Sequence, residues 1–444
     1  MTDPLRQIST IGRREFIVAT GTALAAGATA LAAETLPNAE KLAIDGGPKA
    51  VPHALELPLR WGAPERERLD AMLQQKSFLY WKGPQTTALI ERVQKINALK
   101  YIMTCSSGTA ALHIAVAAAG IGLGDEVITA PITDIGTVIG VIYQQGVPVF
   151  ADLGAATYNL DPASVEKLIT PQTKAIIAVH LTGNPCDLDE LKAIADRHNL
   201  VLIEDCAQAW GAKYRGRPIG TVGHIACWSL QDSKLVTCGD GGVVASSDER
   251  FGPLLQRFGD KGVSRSQPGL PEYFSTNYRM SEPQAAVAAA QLDRLEAIAA
   301  VRARLGNLFN ERIGGIPGIV PHQVDPRDRC VYWFTYFRLD PDAFRCDRAQ
   351  YVRALAAEGV PATAGYISVP LYGMPVFLKH GFFTGRWPVR EMGLTDMDYG
   401  RTSCPEAEAI LATGVRIVIH QAMTDAYVES MANAVKKVAR HYAA

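Results

Sequence analysis

Short apolar runs alternate with stretches of helical spacing through the first two-thirds of this chain. Runs at 126–129, 147–150, 175–179 and 201–203 are bounded by polar or turn-forming residues, as buried parallel strands are. The alternation predicts an α/β architecture with a doubly wound, mostly parallel sheet. Two more runs, 225–230 and 243–245, flank a polar turn and read as strands. A long Ala- and Leu-rich pattern over 283–310 predicts one helix leading into a smaller C-terminal α/β domain. In that domain 332–339 and 415–419 read as strands and 347–358 as a helix. Residues 42–90 read as an N-terminal arm with a helix. The expected division is 42–290 for the arm and large domain, then 291–444 for the linking helix and small domain.

Composition narrows the function classes. With 444 residues, 48% of them hydrophobic, the chain can bury a large core. Its 44 basic and 45 acidic side chains leave a net charge of −1, which offers no electrostatic case for nucleic acid or a membrane surface. The eight cysteines show no CxxC or Cys/His spacing, so no metal site is expected. Buried free thiols are the default reading, and pairing stays open if the protein is exported.

The N-terminus adds a location. Gly12-Arg13-Arg14-Glu15-Phe16-Ile17 precedes a mildly apolar, Ala/Gly/Thr-rich run over 17–33. Consecutive arginines ahead of such a run read as a twin-arginine export signal over 1–33, with the mature chain starting near Ala33 and working in the periplasm. The run is short and weakly apolar for a stable membrane span. A disordered tail or a misplaced start site are the other readings, and they imply a cytoplasmic protein.

Candidate chemistry gathers in one stretch. The run at 201–203 delivers Glu204 and Asp205 at its carboxyl end, where open α/β sheets place ligands. The polar turn after 225–230 holds Ser229, Asp232, Ser233 and Lys234, followed by Gly239-Asp240-Gly241-Gly242. A lysine there can form an imine with an aldehyde, and a nearby carboxylate can keep a pyridine nitrogen protonated. Upstream, Cys105-Ser106-Ser107-Gly108-Thr109 leads into an apolar helix start, a phosphate site by its free amides and dipole. Taken singly these are a solvated lysine, a turn aspartate and an ordinary helix cap. Together they point to pyridoxal 5'-phosphate (PLP).

From about residue 42 onward the chain resembles the DegT/DnrJ-type aminotransferases, PLP enzymes of fold type I acting on keto-sugars and keto-cyclitols. Six motifs carry the resemblance in order: SSGTAALHIAV, GLGDEVITAP, VHLTGNPCDLDEL, EDCAQAWGA, SLQDSKLVTCGDGG and NYRMSEPQAAVAAAQLDRL. The resemblance implies that Lys234 is the Schiff-base lysine and proton shuttle, and that Asp205 pairs with the pyridine nitrogen. It places Gln208 beside the ring and its phenolic oxygen, and Gly108, Thr109 and Ser229 in the phosphate cup. Asn277 matches a residue reaching the phosphate of a neighbouring subunit, which implies a homodimer with shared sites. The partners implied are an amino-acid donor, glutamate or glutamine, and a keto-sugar or keto-cyclitol acceptor.

The chain also departs from that family. Asp134 stands where the family stacks an aromatic on the ring, and Trp210 replaces a histidine. His180, Tyr366 and Tyr372 are weaker substrate-site candidates, each with a packing explanation beside the functional one. A dehydratase-like PLP reaction is the alternative within enzymes, and Lys234 argues against it. A non-catalytic PLP- or sugar-binding sensor is the alternative outside enzymes, motivated by Asp134.

Overall fold

Seven strands form the main sheet, in a spatial order different from their order along the chain. The computed structural model describes residues 41–444 apart from 268 and 272. The twin-arginine segment expected over 1–33 lies outside the described residues. Helices α1 (Ala63–Leu73) and α2 (Pro84–Asn97) come first, where one helix was expected. Then follow β1 (Tyr101–Cys105), α3 (Gly108–Ala118), β2 (Glu126–Thr129), α4 (Gly136–Tyr143) and β3 (Val147–Phe150). Next come α5 (Pro162–Lys167), β4 (Thr173–Val179), α6 (Leu188–Arg197) and β5 (Val201–Asp205). A short hairpin, β6 (Lys213–Tyr214) with β7 (Arg217–Pro218), precedes β8 (Ile225–Ser229) and β9 (Gly242–Ser246).

The sheet order is β1-β9-β8-β5-β4-β2-β3. From β8 to β3 every neighbour is parallel, while β9 runs antiparallel to both β8 and β1. Ile176, Ile177 and Ala178 of β4 are fully buried, as a central parallel strand with both faces covered requires. α3 is buried along almost its whole length, which explains its all-round apolar composition.

Helix ends in this layer are held from a distance. The first-turn amides of α2, at Gln85 and Thr86, donate to the Glu282 carboxylate at 2.9 and 2.8 Å. Glu282 itself opens α8 (Glu282–Leu292), so one carboxylate ties two helix starts together. α7 (Gly252–Gly259) precedes α8, and α9 (Leu295–Ile313) follows it. The single helix expected over 283–310 is thus two. At their joint Asp293 pairs with Arg92 of α2 at 2.7 Å, and Arg294 pairs with Glu65 of α1. Those two ties to different helices hold the break in place.

A second sheet lies beyond α9. Strands β10 (Ile319–Pro321), β11 (Thr335–Leu339), β12 (Ala362–Ala364) and β13 (Gly414–Ile417) are antiparallel in the order β10-β11-β13-β12. Helices α10 (Arg348–Ala357), α11 (Pro375–Leu378), α12 (Pro388–Glu391), α13 (Pro405–Thr413) and α14 (Asp425–Tyr442) complete the chain. Phe309, Phe337, Tyr351, Val415 and Val435 belong to its separate hydrophobic core. β11 begins three residues later than the apolar pattern suggested. Tyr332 takes a φ of +43°, a left-handed conformation that no ladder residue adopts.

No helix among the described residues is long and apolar enough to cross a membrane. All eight cysteines are free thiols, six of them buried.

Candidate active site

The carboxyl ends of β5 and β8 and the amino end of α3 converge on one cavity of about 470 Å³. Its lining brings together Gly108, Thr109, Asp134, Asp205, Ser229, Lys234 and Tyr366, all singled out from sequence.

Asp205 is the last residue of β5 and is buried. Its Oδ2 accepts the Thr137 hydroxyl at 2.9 Å and its Oδ1 the Ala207 amide at 3.1 Å. Burial raises the Asp205 carboxyl above the usual carboxylate range, against the pull of these two donors and of Lys234. Lys234 sits in the turn after β8, where its amide donates to the Gln231 carbonyl at 2.9 Å. Burial lowers the Lys234 amine to about 8, aided by Arg416 and opposed by Asp205 and Asp134. A substantial fraction of this amine is therefore neutral near pH 8, where an ordinary lysine is almost wholly charged.

The amino end of α3 is built for an anion. Ser107 caps it by accepting the Ala110 amide at 3.0 Å. The amides of Gly108 and Thr109 have no intrahelical carbonyl to donate to, and both residues line the same cavity. A Cβ on Gly108 would lie 2.7 Å from the Ser229 Cβ, so only glycine lets strand and helix approach this closely. The glycine run after Lys234 serves a similar purpose. A Cβ on Gly242 would lie 2.2 Å from the Ser107 carbonyl oxygen, so β9 passes directly beneath the α3 loop.

Four residues singled out from sequence stand outside the cavity lining. Gln208 is buried behind it, its Oε1 accepting the Thr182 amide at 2.8 Å. Asn277 faces Arg279, whose Nε donates to its Oδ1 at 2.7 Å. Tyr372 is buried, donating to Glu408 at 2.6 Å and accepting the Cys404 amide. His180 is fully buried and donates from Nε2 to Glu204 at 3.3 Å. Its Nδ1 accepts the Cys186 amide at 3.1 Å, which fixes the proton on Nε2. His180, Glu204 and Cys206 lie close enough to share a metal ion. Glu204, however, already accepts the Gly220, Val222 and Gly223 amides at 2.7, 2.9 and 2.5 Å besides His180. Those bonds make the group a pin between β4, β5 and the turn before β8.

Two contributors escaped the sequence reading. Thr137 holds Asp205, and Trp333 lies over Lys234 with its ring centre 3.7 Å from Nζ. Thr137 had a faint signal, three places after Asp134 at a helix start. Trp333 had none, since it comes from the loop before β11.

The description of the DegT/DnrJ/EryC1/StrS aminotransferase family matches residues 61–436. The chain belongs to this aminotransferase family. It is 34% identical over 412 residues to a putative L-glutamine:3-amino-2,3-dideoxy-scyllo-inosose aminotransferase of Micromonospora echinospora, covering 90% of this chain and 97% of that protein. It is 33% identical over 342 residues to the GDP-perosamine synthase of Caulobacter vibrioides, covering 77% of this chain and 86% of that one. The crystal structure of 3-amino-5-hydroxybenzoic acid synthase superposes with a TM-score of 0.77 at 28% identity, covering 88% of this chain and all of that one.

One wall of the cavity in this aminotransferase is acidic at Asp134. The Asp134 Oδ1 accepts the Gly136 amide at 2.8 Å to start α4. Aromatic surface comes from Trp333 and Tyr366, whose rings meet edge to face with centres 5.9 Å apart.

Proposed function

We propose that this aminotransferase moves an amino group from glutamine or glutamate to a keto-cyclitol or keto-sugar, with pyridoxal phosphate as its cofactor. The observation that carries the reading is one cavity holding Lys234, Asp205 and the free amino end of α3. The residues present fit the cofactor. Gly108, Thr109 and Ser229 line one part of the cavity, with Gly108 packed so closely on Ser229 that a Cβ would clash, which suits a phosphate held at the start of α3. Asp205, buried and raised above its ordinary range, suits a cationic ring nitrogen that restores its charge partner. Gln208, which the resemblance sets at the ring's phenolic edge, stands behind the lining with its Oε1 taken by the Thr182 amide.

Bound pyridoxal phosphate supplies an aldehyde that exchanges amines and a ring that takes up electrons. The chain's own residues do the rest. Lys234 Nζ, with its lowered pKa, is available as a base and carries the proton between donor carbon and product. Thr137 and the Ala207 amide hold the Asp205 carboxyl in place, where it would pair with the ring nitrogen. Trp333 and Tyr366 keep water from one side of the cavity.

The lining favours an uncharged acceptor. Among the described lining residues Lys234 is the sole cation, against the carboxylates of Asp134, Asp205 and Asp240. A small polyol ketone meets less repulsion there than a nucleotide-diphosphate sugar. We also propose a homodimer, with Asn277 directed to a second copy, and export through the twin-arginine segment.

The test is turnover with PLP, glutamine or glutamate, and a panel of keto-cyclitols and keto-sugars. The expected result is an oxo-acid from the donor together with an aminated acceptor, both absent in Lys234→Ala. Oxo-acid formation undiminished in Lys234→Ala overturns the reading.

A further inference from the structure

Lys234 meets Trp333 because two distant segments are each gripped by an arginine that binds their backbone carbonyls. Arg60, just before α1, donates from Nη1 to the Asp232 carbonyl and from Nη2 to the carbonyls of Lys234 at 2.5 Å and Leu235 at 3.2 Å. Arg302, in α9 and only 4% exposed, donates from Nη2 to the carbonyls of Tyr332 at 2.9 Å and Trp333 at 2.8 Å. Its Nη1 reaches Gln421 at 3.0 Å. A guanidinium presents five donors in a fixed fork, so each arginine sets the shape of the loop it holds.

Further ties bring the two loops to a set separation. The Trp333 indole donates to the Ser233 carbonyl at 2.8 Å, one residue from Lys234. The backbone around Trp333 is fastened to the turn after β4, with the amides of Val331 and Trp333 donating to the carbonyls of Gly183 at 3.2 Å and Thr182 at 2.8 Å. Between them Tyr332 is held left-handed, a strained conformation for a bulky aromatic. Its ring fills the space beside Gly306, where a Cβ would lie 2.2 Å away, and its hydroxyl donates to Asn307 at 2.6 Å. The strain turns the chain so that the Trp333 face points at Nζ.

We propose that Trp333 is a positioning residue for Lys234, its indole face docking the ammonium whenever Lys234 is free of the cofactor, with Arg60 and Arg302 holding the two loops at docking distance. The inference rests on the reading of Lys234 as the reacting amine. A π face favours the charged amine over the neutral one, so the dock retains the proton-bearing lysine and releases it on deprotonation. The other charged and titratable groups around this amine are Asp205, Asp134 and Arg416, with Tyr366 beside them.

The test needs no turnover. The full chain, free of cofactor, is acetylated across a pH series, and Lys234 modification is read by peptide mass spectrometry. Trp333→Leu keeps apolar bulk and removes the π face. It is expected to lower the pH of half-modification by about half a unit to one unit. Trp333→Phe should fall between the two. Arg302→Lys keeps the charge while losing the fork, and should shift Lys234 in the same direction, adding nothing in combination with Trp333→Leu. An unshifted Lys234 in a Trp333→Leu protein of parent-like circular dichroism overturns the proposal. If that variant does not fold, an unshifted Lys234 in both Trp333→Phe and Arg302→Lys does so. A protein that shows the shifts but transfers no amine would refute the functional reading and leave the dock standing.

Discussion

Thr137 donates its hydroxyl to Asp205 Oδ2 across 2.9 Å, joining the first turn of α4 to the last residue of β5. The bond aims a buried carboxylate whose ionised form has few other donors. Thr137→Val is expected to reduce kcat by about tenfold, the loss of one hydrogen bond to a charged group, while Thr137→Ser restores most of it. Steady-state kinetics of the two variants decide the matter, and an unaffected Thr137→Val removes this role.

Asp205 is expected to cost stability while serving catalysis. Its folded carboxyl is raised above its unfolded value, so the folded state holds the proton more tightly. The penalty is absent below the unfolded range, where both states are protonated, and grows as pH rises through the folded value. In the cofactor-free protein, Asp205→Asn should therefore melt at a higher temperature than the parent at pH 7, with the gap closing toward pH 4. The same variant should lose turnover. A lower melting temperature at pH 7 contradicts the sign.

Lys234 predicts a rising limb near pH 8 in the pH dependence of its reactivity. Asp134 raises this amine, so Asp134→Asn should move the limb to lower pH. A limb displaced to higher pH would show that Asp134 acts on Lys234 by some route other than its charge.

Gly108 has no room for a methyl group, with the Ser229 Cβ 2.7 Å from where it would stand. Gly108→Ala should push α3 away from β8 and weaken cofactor binding by about tenfold or more, the effect of about 1–3 kcal/mol of overpacking. Titration of the visible cofactor band against added PLP measures this directly.

Glu282 predicts a stability effect remote from the cavity. Its Oε1 accepts both the amide and the hydroxyl of Thr86, and its Oε2 the amide of Gln85. Glu282→Ala leaves three buried donors unpaired and should cost about 2–4 kcal/mol in urea unfolding. A loss below the error of that measurement would mean that water replaces the carboxylate.

Much of the fold was legible because its signals are local. The apolar runs at 126–129 and 147–150 coincide with β2 and β3, and the one at 201–203 falls within β5, because a strand buried on both faces must be apolar residue after residue. The small polar run from Cys105 announced a helix start, and α3 begins at Gly108 because the Ser107 hydroxyl satisfies an amide three residues on. The pairing of Lys234 with Asp205 was legible for the same reason, Asp205 ending one short strand and Lys234 lying in the polar turn after another.

What tertiary structure alone decided is everything that depends on which segments become neighbours. The break between α8 and α9 rests on Arg92 and Glu65, which belong to earlier helices. The reversal of β9 between β1 and β8 left no trace in the apolar pattern, since direction does not alter burial. Trp333 comes to Lys234 across 99 positions (333 − 234), through a left-handed Tyr332 and two arginines that bind carbonyls. Carbonyl groups are common to every residue, so such clamps carry no sequence signature. The chain's local chemistry determined the candidate pair; the packing of its two sheets decided what stands over it.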